Sequence, residues 1–537
     1  MKTVKRFTTL VLVGVMLAAM LVLPASASGA QQTYTITINT SDTGHQYEAY
    51  QIFGGKLTEV TDASNNTRHV LTEIEWGSSI KESGKTTLGD ASVQAGKLTN
   101  EADAHAFAEA LVSGGHLGNP VKQTTEGATP PYIISDLQPG YYLIKDVGGS
   151  ISSEDYHAYT DYILRVIKDV EVTPKASVPT LSKKVSTVPG RDFAESVNRA
   201  IGREVWFELN GSMPSMIGTY TTYKMTFVDT LPVGMDFITG SVDVYINNDG
   251  SLDVLKALDE SEYTVNYDEP TRKLTVTVTD AIASIKAHDG AVFVSDNIVV
   301  HFSAKLNENA VIGKGSDGHG NQNTAIMQYS NDPNKADSFG TTSTESAEVY
   351  TYSLQVIKTD SESSAIKLSG AKFLLWRNET GNPTDKRYAV ASKNGDGSYT
   401  VTNSTDKESE ATPFETDAAG QFTVHGVTAG TYHLTETAPP AGYNAIKEDI
   451  SLQIVAGLNA SNGEVTSFSA NKVDATAFSS VTADETSCTA IITITNKSGA
   501  TLPETGGMGT TIFYVLGAIL VVGAGTILVA RKRREEN

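Results

Sequence analysis

One cysteine, Cys488, in 537 residues excludes an intramolecular disulfide. Ten histidines are scattered, and none sits at useful metal-ligand spacing beside a supporting carboxylate, so no metal centre is expected. No nucleophile elbow appears, so neither a turnover site nor a cofactor is expected. Basic charge is also short: the net charge of −21 repels phosphates and argues against nucleic acid as a partner. Helical periodicity is scarce between residues 31 and 500. A chain this long exceeds one core and suits several domains.

Long apolar runs occur only at the two ends. Lys2, Lys5 and Arg6 precede an apolar stretch from Leu10 to Leu23, then Pro24-Ala25-Ser26-Ala27 with small residues at Ala25 and Ala27. This predicts a secretory signal peptide over residues 1–30. At the other end Leu502-Pro503-Glu504-Thr505-Gly506 is followed by an apolar span, 512–530, and by Arg531-Lys532-Arg533-Arg534. Such a span is about 28 Å long as a helix, roughly one bilayer core. The basic tail would stay cytoplasmic. The pentapeptide resembles a sortase recognition site, which is cut between threonine and glycine.

Between the ends, alternating segments such as Thr33 to Ile38, Lys273 to Val278 and Ile491 to Thr495 are separated by turns such as Asn394-Gly395-Asp396-Gly397. The pattern predicts antiparallel, half-buried strands and an all-β fold of tandem immunoglobulin-like sandwiches. One stretch, Glu101 to Val112, reads as a short amphipathic helix. Linkers at Pro174 to Pro179 and Thr341 to Ala347 give units at 31–174, 177–349 and 350–499, with a sorting segment at 502–537. Gly313 to Gly318 satisfies G-x-G-x-x-G, but in a loop leading to a strand, which is wrong for dinucleotide binding.

In the last unit, strand alternation puts Lys358 on a face with Leu354 and Val356, Glu436 with Tyr432 and Leu434, and Asn496 with Ile492 and Ile494. Burying any of the three polar groups unpaired costs a few kcal/mol, so they should meet. Desolvation favours a neutral amine and a protonated acid. The amine of Lys358 can then attack the Asn496 carboxamide while Glu436 shuttles protons and ammonia leaves. The same logic in the middle unit selects Lys183 as nucleophile, Asp229 as shuttle and Asn323 as acceptor, with Glu208 and Asn321 as competitors. The first unit has no lysine in its opening strand and no asparagine in its closing strand, Tyr162 to Val172. It should lack a crosslink and be the least stable.

The segments Val356 to Asp360, Gly430 to Glu436 and Ala438 to Tyr443 resemble collagen-adhesin B-type (CnaB) domains, which form autocatalytic Lys–Asn isopeptide bonds. Gly44 to Phe53 and Leu137 to Leu143 resemble the first domain of Gram-positive backbone pilins, the major subunits of sortase-built pili. In that family a lysine in a motif ending V-Y-P-K accepts the next subunit. Here the ending is Val172-Thr173-Pro174-Lys175, with Thr173 in place of tyrosine and Val166 where tryptophan is common. The resemblance implies Lys175 as acceptor, with Lys168 and Lys184 as runners-up. It also implies a structural role as a wall-anchored fimbrial subunit. The implied partners are a pilin-class and a housekeeping sortase, identical subunits, minor pilins and peptidoglycan, with host extracellular matrix as a candidate ligand. The rival reading is a monomeric wall-anchored adhesin or a minor pilin at tip or base.

Overall fold

The structure is a computed structural model that describes residues 32–40, 43–61, 65–147, 161–173, 178–248, 255–333, 335, 337–379, 384–474, 478–499 and 509–535. The signal segment 1–30, Lys175 and Leu502 to Gly506 lie outside the described residues.

Alternation dictates the strands. Tyr34–Ile38 buries Tyr34, Ile36 and Ile38 and turns its threonines outward. It is the middle of a three-stranded sheet, antiparallel to Tyr132–Leu137 and parallel to Val170–Val172. A five-stranded sheet built on Tyr47–Thr61 and Gly140–Asp146 faces it across a core containing Tyr47, Tyr132 and Ile144. The expected closing strand, 162–172, is in fact two. Asp161–Val166 joins the five-stranded sheet and Val170–Val172 joins the three-stranded one. The switch falls around Asp169, whose side chain accepts a hydrogen bond from the Thr35 backbone N–H at 2.9 Å.

Helix content exceeds the sequence expectation. Glu101–Ser113 is present, capped by Asn100. So are two short helices, Glu82–Leu88 and Ala91–Lys97, and a third, Ala281–Asp289. The two seven-residue helices contain Gly84, Thr86, Thr87 and Gly96, poor helix formers held by tertiary packing. Ala281–Asp289 has capping signals at both ends in its sequence. Asp280 accepts from the N–H groups of Ile282 and Ala283, and Gly290 closes the helix at φ 77°.

Residues 181–349 pack one hydrophobic core between a seven-stranded and a six-stranded sheet. Leu181–Ser186 edges the six-stranded sheet, while Met225–Thr230 and Asn321–Ser330 are neighbours in the other. A second core runs from Tyr350 to Ile494 inside an eleven-stranded sheet. There the first strand, Tyr352–Asp360, lies parallel to the last, Thr489–Asn496.

The two cores are joined closely. Glu345–Tyr350 runs into Tyr352–Asp360 with only Thr351 between them. The buried Thr351 donates its hydroxyl to the Val427 carbonyl at 3.0 Å, and its own carbonyl accepts from the Gly313 N–H at 2.7 Å. Gly202, at φ 82°, sits where a Cβ would lie 2.4 Å from the Thr402 carbonyl oxygen, so the backbones meet too closely for any side chain. The helix Gly509–Glu535 follows; its segment Phe513–Glu535 contains an apolar stretch long enough to cross a membrane and packs against none of the cores.

Candidate functional site

The third unit brings Lys358, Glu436 and Asn496 together. Parallel pairing sets Lys358 opposite Ile494, and Asn496 opposite Asp360 two residues further on. Both side chains point into the same layer, and Glu436 enters it from Gly430–Ala438. The Lys358 amine donates to Asn496 Oδ1 and, at 3.2 Å, to the Ile494 carbonyl. Asn496 Nδ2 donates to Glu436 Oε1 at 3.1 Å, and Glu436 Oε2 also accepts the Ile446 N–H at 2.7 Å. The amine lies 3.9 Å from Glu436 Oε1. Lys358 is fully buried. Burial pulls its amine down to about 8, against the opposing pull of Glu436. About a tenth of this amine is therefore unprotonated at neutrality, far more than for an exposed lysine, and it lies within reach of a carboxamide carbon.

The middle unit assembles its trio across the sandwich. Lys183 comes from the six-stranded sheet; Asp229 and Asn323 come from the seven-stranded one. All three are buried, and the Lys183 amine donates to Asp229 Oδ2. That amine also lies 4.7 Å from the Phe207 ring centre and 5.4 Å from that of Phe302. Burial lowers the Lys183 amine and raises the Asp229 carboxyl, so the pair tends toward its neutral form. Asn323 sits close enough to Asp229 to oppose that rise, yet neither atom of its carboxamide makes a hydrogen bond of good geometry. An unsatisfied buried amide costs about 1–3 kcal/mol.

The competitors are occupied. Glu208 pairs across the strands with Lys184 and holds the His301 ring at 3.0 Å, away from Lys183. Asn321 uses its amide on the backbone of Val311 and Val349. Lys184 is half-buried and Lys168 is exposed. Gly313 to Gly318 lies in the loop before Asn321–Ser330, with no helix after it.

One grouping escaped the sequence reading. Asp259, Glu262 and His288 bring their ligand atoms within 4.8 Å of one another. Glu262 and His288 are far apart in sequence, so no spacing signalled the cluster. One of its two acids is already used: Glu262 Oε2 accepts the Asp259 N–H at 2.8 Å and contacts His288 Nε2 at 2.9 Å. Local hydrogen bonding accounts for the cluster.

Residues 352–466 match the model of the SpaA prealbumin-like fold domain, and residues 494–537 match the LPXTG cell wall anchor motif. The trypsin-resistant surface T6 protein of Streptococcus pyogenes serotype M6 is 25% identical over 404 residues, which cover 67% of this chain and 70% of that protein. The solved T6 backbone pilin of serotype M6 Streptococcus pyogenes superposes with a TM-score of 0.49 at 17% identity, covering 88% of this chain and 100% of that one. The full-length major pilin SpaD of Corynebacterium diphtheriae gives 0.45 at 17% identity, over 88% and 98% of the two chains. With its LPXTG anchor motif, its prealbumin-like fold domain and its similarity to a streptococcal surface protein, the chain is a cell-wall-anchored surface protein.

Proposed function

We propose that the chain is the backbone subunit of a covalent pilus, made of three units with joints near residues 174–177 and 349–350. In this reading a sortase cleaves between Thr505 and Gly506. Lys175 of another copy then takes up the Thr505 acyl group, or peptidoglycan does so when growth ends. The observation that carries the proposal is the cluster of Lys358 from the third unit's first strand, Asn496 from its last and Glu436 from Gly430–Ala438, in a chain with a wall-anchor motif.

The geometry supports a covalent reinforcement. Lys358 Nζ attacks Asn496 Cγ, a new C–N bond forms, and the Cγ–Nδ2 bond breaks. Glu436 carries one proton from the attacking nitrogen to the departing one, and the products are a secondary amide and ammonia. Contact distance supplies the large effective concentration of an intramolecular reaction. Lys183, Asp229 and Asn323 do the same across the middle sandwich. No substrate turns over; each chain reacts once per site.

Removal of Leu502 to Gly506 tests the surface assignment. The expected result is loss of both wall-bound monomer and high-mass species, with the chain kept in the membrane by its apolar helix; an unchanged wall fraction would refute it.

The depressed Lys358 amine sets a pH dependence. Below about 8 the reactive neutral fraction falls tenfold per pH unit, and above that it saturates. Ammonia loss from newly made chain, followed by intact mass, should therefore speed up from pH 6 to pH 8 and then level off. Stability has the same sign. The unfolded amine keeps its ordinary value, so the unfolded state binds more protons between about 8 and 10.5. The uncrosslinked unit then gains stability as pH rises through that window.

A further inference from the structure

The joint between the middle and third units contains a cleft of about 310 Å³. Its walls carry four arginines, Arg199 and Arg203 from one side and Arg377 and Arg387 from the other, and one carboxylate, Glu379. In a chain of net charge −21 this is a local reversal of sign. Distant acids do little to cancel it, because charges beyond about 8 Å are largely screened at physiological salt.

Holding the joint together explains only half of the set. Arg203 pairs with Glu379 across the joint. Arg387 reaches Glu379 at 3.7 Å and Asp385 at 3.2 Å. Arg199 has only a backbone partner for its Nε, the Glu204 carbonyl at 2.7 Å. Arg377 lies over the Tyr432 ring, 5.4 Å from its centre, and donates through Nη1 to the Tyr432 hydroxyl at 3.4 Å, while its buried Nε has no acceptor among the described residues. Burial and the charge of Arg203, opposed by Glu379, then the charge of Arg377, opposed by Glu204, make the protonated form of Arg199 less favourable than usual. These are like charges gathered with one counter-charge short.

We propose that this cleft binds a small ligand bearing an oxyanion, a carboxylate, sulfate or phosphate, gripped between the two units by Arg199 and Arg377. Guanidinium forks match such groups in a planar, two-pronged way that a lysine cannot. Small-ligand sites favour domain interfaces and begin at roughly 300 Å³. The cleft therefore has room for one acidic sugar or a free anion. The proposal concerns the single chain and stands whether or not the chain polymerises.

The test uses the soluble chain, residues 32–499, since the terminal helix packs against none of the cores. It is titrated by calorimetry at fixed ionic strength with sulfate, with inorganic phosphate and with N-acetylneuraminate. The expected result is saturable binding of at least one probe, weakened about tenfold or more by Arg377→Gln and by Arg199→Gln. Preference for the sugar acid identifies an acidic glycan as the source; preference for the inorganic ions identifies a free anion. Should either variant misfold, protection of wild-type Arg377 from phenylglyoxal by the bound probe reads the same site. No saturation by any probe at about 10 mM, unchanged affinity in both variants, or no protection would overturn the proposal.

Discussion

The soluble chain should weigh about 34 Da less than its sequence predicts, one ammonia of about 17 Da for each of two amides formed. Lys358→Ala or Asn496→Ala should return one equivalent, and Lys183→Ala or Asn323→Ala the other. Glu436→Ala should also return one, with both reacting groups still present, because without the acid nothing relays the proton. The thermal consequence is large. The Lys358–Asn496 link spans 138 residues of chain, and closing a loop of that size stabilises by about 5 kcal/mol. For a unit of this length that is roughly 10–20 °C in melting temperature. The first unit, expected to have no such link, should melt before either of the others in the wild type. A full mass, with Lys358 and Lys183 recovered in linear peptides, would remove the crosslinks from the account.

Replacing Lys175 with alanine should abolish the high-mass ladder seen when wall extracts are run on a denaturing gel, while wall-bound monomer persists. The two halves of that outcome separate polymer from anchor. The anchor needs only the Thr505 acyl group and peptidoglycan, whereas chain growth needs an amine on the subunit itself. Proline before that lysine in the sequence favours an extended approach. A ladder of normal length in Lys175→Ala would shift the acceptor role to Lys168 or Lys184, and loss of the ladder only in a double variant would show redundancy. No ladder even in the wild type would leave the monomeric adhesin as the better reading.

The third-unit site was legible because strand alternation is a rigid rule: once Leu354 and Val356 are inside, Lys358 has nowhere else to go. What alternation cannot show is which sheets face each other. Lys183 reaches Asp229 across the sandwich, a relation fixed by tertiary packing rather than by spacing. The helices at Glu82–Leu88 and Ala91–Lys97 were invisible for a similar reason. Their local preferences are weak, and burial of Ala91 and Ala95 against the first unit sustains them. The arginine cleft was illegible altogether, since its residues come from two units and from strands far apart in sequence.

The parallel pairing of Tyr352–Asp360 with Thr489–Asn496 has a mechanical meaning. In a fibre, tension arrives at the front end of the first strand and leaves from the back end of the last. Because the two run side by side in one direction, such a pull drives them lengthwise past each other, and the eight matched positions from Ser353 with Thr489 to Asp360 with Asn496 must give way at once rather than one by one. An amide at Lys358 stops that slide before it starts. The rest of the third unit then carries almost none of the strain, and its surface loops are free to vary in sequence without softening the shaft.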